Sequence, residues 1–361
     1  MNTAWKNEVA DMVQTLAPPI TEKPHSALVQ NGKRVLALLV MAGLLVVVML
    51  LSVFVGSGDI PFSDVWHAIW HGRDGSTNAE IILSNRIPRT LLGVIVGAAL
   101  GVAGALIQAL TRNPLADPGV LGVNAGAYFV MVLGFAVFGA TSTSGNVLFA
   151  MLGAFAASIL VYFVGSRGRG GASPAKLVLT GVAVSCVFTG VAFGMTMVDP
   201  KAFDNIRGWQ VGSLQKDQTQ SILETIWPYI LVGLVIALLL TAYLNAIALG
   251  DDRARALGVP VTSVRGAGFL SMTLLCGAGT AAVGPITFLG LMVPHAVRTV
   301  VGPDQKWIIP ASMLFAPVLF LGSDVIGRVI APTEVPVGMV VAFIGAPVLI
   351  YLARNSKFNE L

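Results

Sequence analysis

The chain has 361 residues, of which 55% are hydrophobic and 11% are charged. Soluble globular proteins carry about 25% charged residues, so this composition excludes a soluble domain and indicates a protein that folds within a lipid bilayer. The pI near 9.2 does not indicate nucleic-acid binding, because the basic residues are scattered over short loops, where they act as determinants of membrane topology.

Residues 1–34 form a mixed-charge segment that contains Pro18 and Pro19 but lacks the basic start and cleavage site of a signal peptide. We predict a flexible cytoplasmic tail there and one transmembrane domain over residues 35–361. Ten apolar runs have about the length that a membrane-spanning helix needs: 35–55, 90–111, 119–139, 146–166, 176–198, 226–249, 264–284, 286–301, 307–327 and 337–353. Because Gly284 and Pro285 interrupt the seventh and eighth runs, one of these spans is predicted to be broken or re-entrant.

The distribution of positive charge predicts the orientation of these spans. With the N-terminus inside, 15 of the 22 Lys and Arg residues lie in inner segments and 7 in outer segments. Short inner loops are enriched in Lys and Arg, so both termini are predicted to lie in the cytoplasm. Cys186 and Cys276 fall inside apolar runs, which favours buried small side chains over a disulfide or a metal site.

Small residues recur at every fourth position of the second apolar run, at Gly93, Gly97, Gly101 and Ala105. They share one helix face and allow another helix to approach closely. The partner helix belongs either to the same chain or to a second subunit.

The apolar runs contain few ionisable groups, which weighs against a carrier driven by protons. Asp324 lies near the outer end of the ninth run, four residues before Arg328, so the two can form an ion pair along the helix. No nucleotide-binding motif and no catalytic set is present, so this chain is not expected to be an enzyme. His67 and His71 are interpreted as a surface pair rather than a metal site.

The inner loop at 249–265 contains a short predicted helix. Asp251 and Asp252 precede a stretch rich in Ala, Leu and Arg that Gly258 closes, which is the pattern of a capped helix. Its apolar residues Ala254, Leu257 and Val259 either dock into a groove of a partner or cover the membrane surface. The sequence of this loop alone leaves both alternatives open.

Six motifs lie in order along the chain and cover nearly all of it after about residue 34. They are R-I-P-R at 86–89, Q-A-L-T-R-N-P-L-A-D-P-G-V-L-G at 108–122, G-W-Q-V-G-S-L at 208–214, A-R-A-L-G-V at 254–259, V-G-P-I-T-F-L-G-L-M-V-P-H-A-V-R at 283–298 and E-V-P-V-G-M-V-V-A-F-I-G-A-P at 334–347. Together they resemble the FecCD family, the permease subunits of bacterial ABC importers for iron-siderophores, haem and cobalamin. Thr287 and Val335 depart mildly from the family pattern.

The resemblance implies an all-α membrane protein with the type II ABC importer permease fold, with ten transmembrane helices per subunit and two permeases around a central pathway. It also implies that a coupling helix around residues 251–261 docks on an ATPase subunit. The residues expected to carry this coupling are Arg253, Ala254, Leu257, Gly258 and Val259.

A cytoplasmic gate is likewise implied at the inner ends of the second and fifth spans, where the first position matches Asn113 and Leu115. Pro114 prevents a regular helix from continuing, so the chain turns at this point. The fifth-span counterpart at 173–175 does not match the family closely, and its role stays open. The polar fifth-span residues either line the pathway or bond to carbonyls of their own helix; they are Thr180, Ser185 and Thr189.

At the outer side, Arg86, Arg89 and Arg328 match family positions that meet acidic groups of an extracytoplasmic binding protein. Arginine suits this role because its guanidinium binds carboxylates through two hydrogen bonds. The alternative is that the three arginines are interfacial anchors.

We therefore expect a permease subunit in the bacterial cytoplasmic membrane that translocates a ferric siderophore; the alternatives are haem or cobalamin import and, from another class, an ion-coupled carrier. W-x-x-G-S-L at 209–214 favours the siderophore branch over the cobalamin branch. The chain itself is expected to bind no cofactor or metal, with ATP and Mg on a partner. The expected partners are a second permease (identical or paralogous), two ATPase subunits, the binding protein and membrane lipid, but no nucleic acid.

Overall fold

The computed structural model describes residues 27–56, 60–139, 143–167, 174–198, 200–331 and 333–354. Helices form the regular structure of these ranges, which contain no strand. In chain order they are α1 (Ala27–Phe54), α2 (Phe62–His71), α3 (Thr77–Ile81), a π-helical turn (Ile82–Arg86), α4 (Ile87–Thr111), a 3-10 helix (Pro118–Leu121), α5 (Val123–Phe138), α6 (Thr143–Ser166), α7 (Pro174–Val198), α8 (Pro200–Gln210), α9 (Thr219–Ala248), α10 (Asp251–Ala256), α11 (Val261–Val283), α12 (Leu289–Val301), α13 (Gln305–Val329) and α14 (Val337–Arg354).

The ten predicted apolar runs correspond to ten apolar helices. Seven helices in the described ranges are long and apolar enough to cross a bilayer, and three shorter apolar helices, α5, α12 and α14, account for the remaining runs. The boundary of the predicted tail is wrong, because α1 begins at Ala27, inside the segment 1–34. The rest of that predicted tail, residues 1–26, lies outside the described residues.

The second span is the central helix of the fold. In the span Thr77–Thr111, 83% of the most apolar window is buried, against 11% for Gln30–Phe54 in α1. α4 packs against α9, α11, α12 and α13, whereas most of the surface of α1 is exposed in this chain. The described part of the chain therefore surrounds α4.

Its small-residue face packs within the same chain. A Cβ atom added to Gly97 would lie 2.7 Å from the Cα of Pro317 on α13. One added to Gly104 would lie 1.8 Å from the carbonyl oxygen of Gly290 on α12. Two helices thus approach α4 backbone to backbone, which supports the intramolecular alternative for this face.

The interruption at Gly284 separates the seventh and eighth runs as two helices and breaks neither of them. α11 ends at Val283, residues 284–288 are not helical, and α12 begins at Leu289. The carbonyl at the end of α11 is satisfied from outside the helix, since Val283 O accepts from the Ser213 N–H at 2.8 Å. Protein backbone rather than water thus supports the break.

Two short helices of the outer side, α2 and α8, were not predicted. α2 follows α1 and exposes an aromatic row on which Phe62 and Trp66 stack with their ring centroids 6.4 Å apart. Its other face buries Val65 and Ala68. Because the helix is short and amphipathic, it was not among the apolar runs, and its Trp side chains suit the membrane–water interface.

Candidate translocation pathway and coupling site

Two of the three predicted pathway residues face a common cavity. Ser185 and Thr189 on α7 line a cavity of about 420 Å³. The other lining residues come from the 3-10 helix, α5, the end of α8 and the interruption between α11 and α12: Gly119, Asn124, Ala125, Tyr128, Trp209, Gln210 and Pro285. All of these residues are uncharged. We name this space the pathway cavity, after the predicted pathway residues Ser185 and Thr189 that line it.

Thr180 lies elsewhere. A Cβ atom added to Gly165 on α6 would be 3.4 Å from the Thr180 hydroxyl oxygen, so this side chain faces α6. Thr180 is not among the residues that line this cavity, because five residues after Thr180 an α-helix has turned by about 140° beyond a full turn, which places Thr180 and Ser185 on different faces.

Trp209 and Asn124 are pathway-cavity residues that the polar pattern of the fifth span did not identify. The Trp209 indole N–H donates to the carbonyl of Ala281 at 3.3 Å, and the Thr280 hydroxyl donates to Asn124 Oδ1 at 2.9 Å. These bonds fix two walls of the pathway cavity to α11. The signal for Trp209 was the G-W-Q-V-G-S-L motif, whereas Asn124 had none beyond its position in an apolar run.

The predicted gate turn is a compact structure at the inner end of α4. Arg112 ends the helix in the left-handed region, with φ 51°. The Asn113 side-chain oxygen then accepts from the Leu115 N–H at 2.9 Å, and the Leu115 side chain is 38% exposed. Residues 112–115, called here the gate turn, are accessible at this end of the molecule.

The turn leads into the 3-10 helix, which contacts the fifth span. Asp117 caps this helix by accepting from the Gly119 N–H at 2.8 Å. A Cβ atom added to Gly181 on α7 would lie 2.4 Å from the Val120 carbonyl oxygen. The predicted neighbours of the gate, the inner parts of the second and fifth spans, are therefore joined. Of the uncertain segment 173–175, Ser173 lies outside the described residues and Pro174 begins α7.

The predicted coupling helix is present and shorter than expected, because α10 spans Asp251–Ala256 and Gly258 follows it with φ 80°. Leu257 is 67% exposed and Ala254 is 0% exposed. Ala254 therefore packs inward, and its predicted contact with a partner is wrong. Arg253 is exposed and Val259 is half-buried, so Leu257 offers the apolar contact of this segment.

A salt-bridged carboxylate joins α10 to the gate turn. Asp251 forms an ion pair with Arg112 of the gate turn. It also forms an ion pair with Arg265 on α11, with Nη1 3.0 Å from Oδ2, and it accepts a hydrogen bond from Nη2 at 3.0 Å to Oδ1. Hydrogen bonds between charged groups are stronger than neutral ones. The sequence around Asp251 indicates only a helix cap, because its partner Arg112 lies 139 residues away.

The three outer arginines are buried, contrary to the expectation of exposed charges. Arg89 binds Asp324 through Nε at 3.1 Å and Nη2 at 2.7 Å, and it binds Glu334 through Nη1 at 2.8 Å. Arg328 pairs with the same Asp324, as predicted from their spacing, and donates to the Ser52 carbonyl at 2.7 Å. Arg86 donates to the Phe54 carbonyl at 3.0 Å.

These contacts join α1, the start of α4, α13 and the segment before α14 at the outer side. Because the guanidinium groups already bind partners within the chain, direct docking of a binding protein on them stays a prediction, and their burial argues against it. We name Arg86, Arg89, Arg328, Asp324 and Glu334 the outer ionic cluster.

No group of three or more His, Cys, Asp or Glu side chains that could hold a metal ion occurs in the described ranges. His67 and His71 stack with ring centroids 4.2 Å apart, and His67 Nδ1 lies 3.5 Å from an exposed Asp74 carboxylate oxygen. The pair matches the predicted surface arrangement. It lies on α2, on the opposite side of the fold from α10.

Ten apolar helices with an open, uncharged cavity, within the described part of the chain, have the architecture of a transmembrane permease. A model of the FecCD transport family matches residues 44–355. The chain belongs to this family and is a permease subunit of an ABC importer, a multi-pass protein of the bacterial cytoplasmic membrane.

Individual relatives support the same family assignment. The ferric enterobactin transport system permease protein FepD of Escherichia coli strain K12 is 47% identical over 312 residues, covering 86% of this chain and 93% of FepD. The Fe(3+)-citrate import system permease protein YfmD of Bacillus subtilis strain 168 is 38% identical, covering 92% of this chain and 98% of YfmD. A solved metal-chelate type ABC transporter in an inward-facing conformation is 27% identical, with a TM-score of 0.77, and covers 89% of this chain and 99% of that chain.

Proposed function

We propose that this permease translocates a ferric siderophore that an extracytoplasmic binding protein delivers. Two ATPase subunits hydrolyse ATP with Mg²⁺, and a second permease, identical or paralogous, completes the pathway. Support comes from FepD and YfmD, whose names specify iron chelates, and from the pathway cavity, whose uncharged polar lining suits a large ligand that must not bind tightly. Haem or cobalamin import by the same machinery is the alternative.

The observation that carries the coupling mechanism is the Asp251 bridge. Leu257 docks in a groove of the ATPase and moves with it when nucleotide binds. Because Asp251 lies on α10 and is paired with Arg112, a displacement of α10 pulls on the end of α4. The gate turn begins at that residue, so the displacement reaches Asn113 and Leu115 without passing through the membrane core.

Arg112→Gln and Arg265→Gln form a matched test of this mechanism. Each removes one cation from Asp251, but only Arg112 belongs to the gate turn. The variants are assembled with the ATPase and binding-protein partners in vesicles, and ATP hydrolysis and iron uptake are measured together. We expect Arg112→Gln to lower the uptake per ATP severalfold while hydrolysis continues, and Arg265→Gln to change this ratio less.

Single cysteines at Asn113 or Leu115, in a background without Cys186 and Cys276, report on the gate directly. Their reaction with a cytoplasmic thiol reagent should change with nucleotide in the parent and lose that change in Arg112→Gln. Equal nucleotide dependence in both arginine variants contradicts the bridge mechanism. Uptake that proceeds without ATP contradicts the proposal that this is an ATP-driven importer. Uptake of haem in place of ferric enterobactin supports haem as the substrate.

A further inference from the structure

A second cavity adjoins the pathway cavity. It has a volume of about 440 Å³, within the range of ligand pockets. Asn124 and Tyr128 of α5 line the pathway cavity, and Met131 and Phe135, one and two turns further along the same helix face, line the second one. Trp209 lines both, so the two cavities meet at this residue. We name the second space the outer cavity, because α5 runs outward from the 3-10 helix.

Lys216 is the charged residue among those that line the outer cavity. It lies in the loop between α8 and α9 and is half-buried. Burial lowers the pKa of its ammonium group to about 8, and the charge of the neighbouring Asp217 acts in the opposite direction. Polar groups stand beside it in the same wall, from Ser213 and Gln215, and no acidic residue of the described ranges lines the cavity.

We infer that the outer cavity binds an oxyanion against the ammonium group of Lys216, and that the translocated iron chelate supplies it as a carboxylate or catecholate. This inference rests on the proposed function. A half-buried cation without an acidic residue in its cavity gains from an anionic ligand, because the attraction between opposite charges strengthens as bulk water is excluded.

The same chemistry is present in phospholipid headgroups, whose phosphate is an alternative source of the oxyanion. The two sources differ in what has to be added to fill the site. A chelate site is empty until ferric enterobactin or ferric citrate is present, whereas a lipid site is filled in any bilayer that contains an anionic phospholipid.

The experiment follows acetylation of Lys216 by mass spectrometry in the assembled transporter, in nanodiscs of phosphatidylcholine. The neutral amine is the reactive form, so acetylation of Lys216 should rise as the pH passes about 8. Ferric enterobactin should slow it and move the rise to higher pH, because a bound anion favours the charged amine. The exposed Lys306, on the cytoplasmic side, is the internal control and should not respond to the chelate.

Two variants separate the charge from the fold. Lys216→Gln removes one charged contact and should weaken chelate binding about tenfold to a hundredfold. Lys216→Arg keeps the charge and should keep most of the affinity. Arg207→Gln is the control: it removes an exposed cation of the neighbouring helix α8 and should bind the chelate as tightly as the parent does.

Protection of Lys216 by either ferric chelate supports the chelate site. Protection by phosphatidylglycerol in the bilayer, with no further effect of chelate, overturns that assignment in favour of a lipid phosphate. Lack of protection by both overturns the oxyanion site. ATP-dependent uptake measured in parallel shows whether the proposed function survives either outcome.

Discussion

Replacing Asp324 by Asn tests whether the outer ionic cluster holds the fold together. Asp324 is 1% exposed and accepts hydrogen bonds from both Arg89 and Arg328. Asn has nearly the same shape, but it carries no charge and presents an amide N–H₂ to one of the guanidinium groups. Breaking a buried ion pair by removing one partner costs about 3–5 kcal/mol, because the remaining charge stays buried. Here two cations lose their shared anion, while Arg89 keeps Glu334 and Arg328 keeps the Ser52 carbonyl.

The measurement is the unfolding midpoint of the purified permease in nanodiscs, with Asp252→Asn as the control. Asp252 pairs with Arg255 at 3.1 Å, and its side chain is 99% exposed, so the same chemical change should leave the midpoint unaltered. We expect a clear loss of stability for Asp324→Asn alone. Equal midpoints for the two variants would refute the structural role of the cluster and return the three arginines to their predicted docking role.

Two further predictions concern the core and the coupling helix. Gly104→Ala should cost about 3 kcal/mol or more and lower the folded yield, because its methyl group meets the Gly290 carbonyl oxygen, whereas Gly190→Ala on α7 meets no atom within 4 Å and should fold normally. Leu257→Asp should abolish substrate-stimulated ATP hydrolysis while thermal unfolding stays unchanged, since this side chain is 67% exposed; normal stimulation in the variant would exclude Leu257 as the docking contact.

The membrane-spanning helices could be predicted well from the sequence, because hydrophobicity over a span of this length is a local property. The ten spans could be predicted for that reason, and the interruption at Gly284 could be predicted from the Gly284-Pro285 pair. The short outer helix α2 was missed because only one of its faces is apolar. The start of α1 was misplaced because its first turns, which include Lys33 and Arg34, are polar.

The candidate site was less predictable because its contacts join distant parts of the chain. The Asp324–Arg328 pair, four residues apart, follows from helix geometry, but the contact of Arg89 with Asp324 spans 235 residues. The Asp251 bridge is of the same kind. Thr180 is a different case, because helix periodicity alone distinguishes its face from that of Ser185 and Thr189.

The short helix after the break limits the order in which the protein can be made. α12 has 13 residues, about 20 Å of helix, which is less than the roughly 30 Å of a bilayer core. It also contains Pro294 and Arg298, so hydrophobicity alone does not keep it in lipid. Its backbone fits against the Gly104 turn of α4, a surface that exists only after α4 has been inserted. We therefore expect α12 to enter the membrane by docking onto helices already in place, and a mutation in α4 that blocks that surface should leave α12 outside the bilayer.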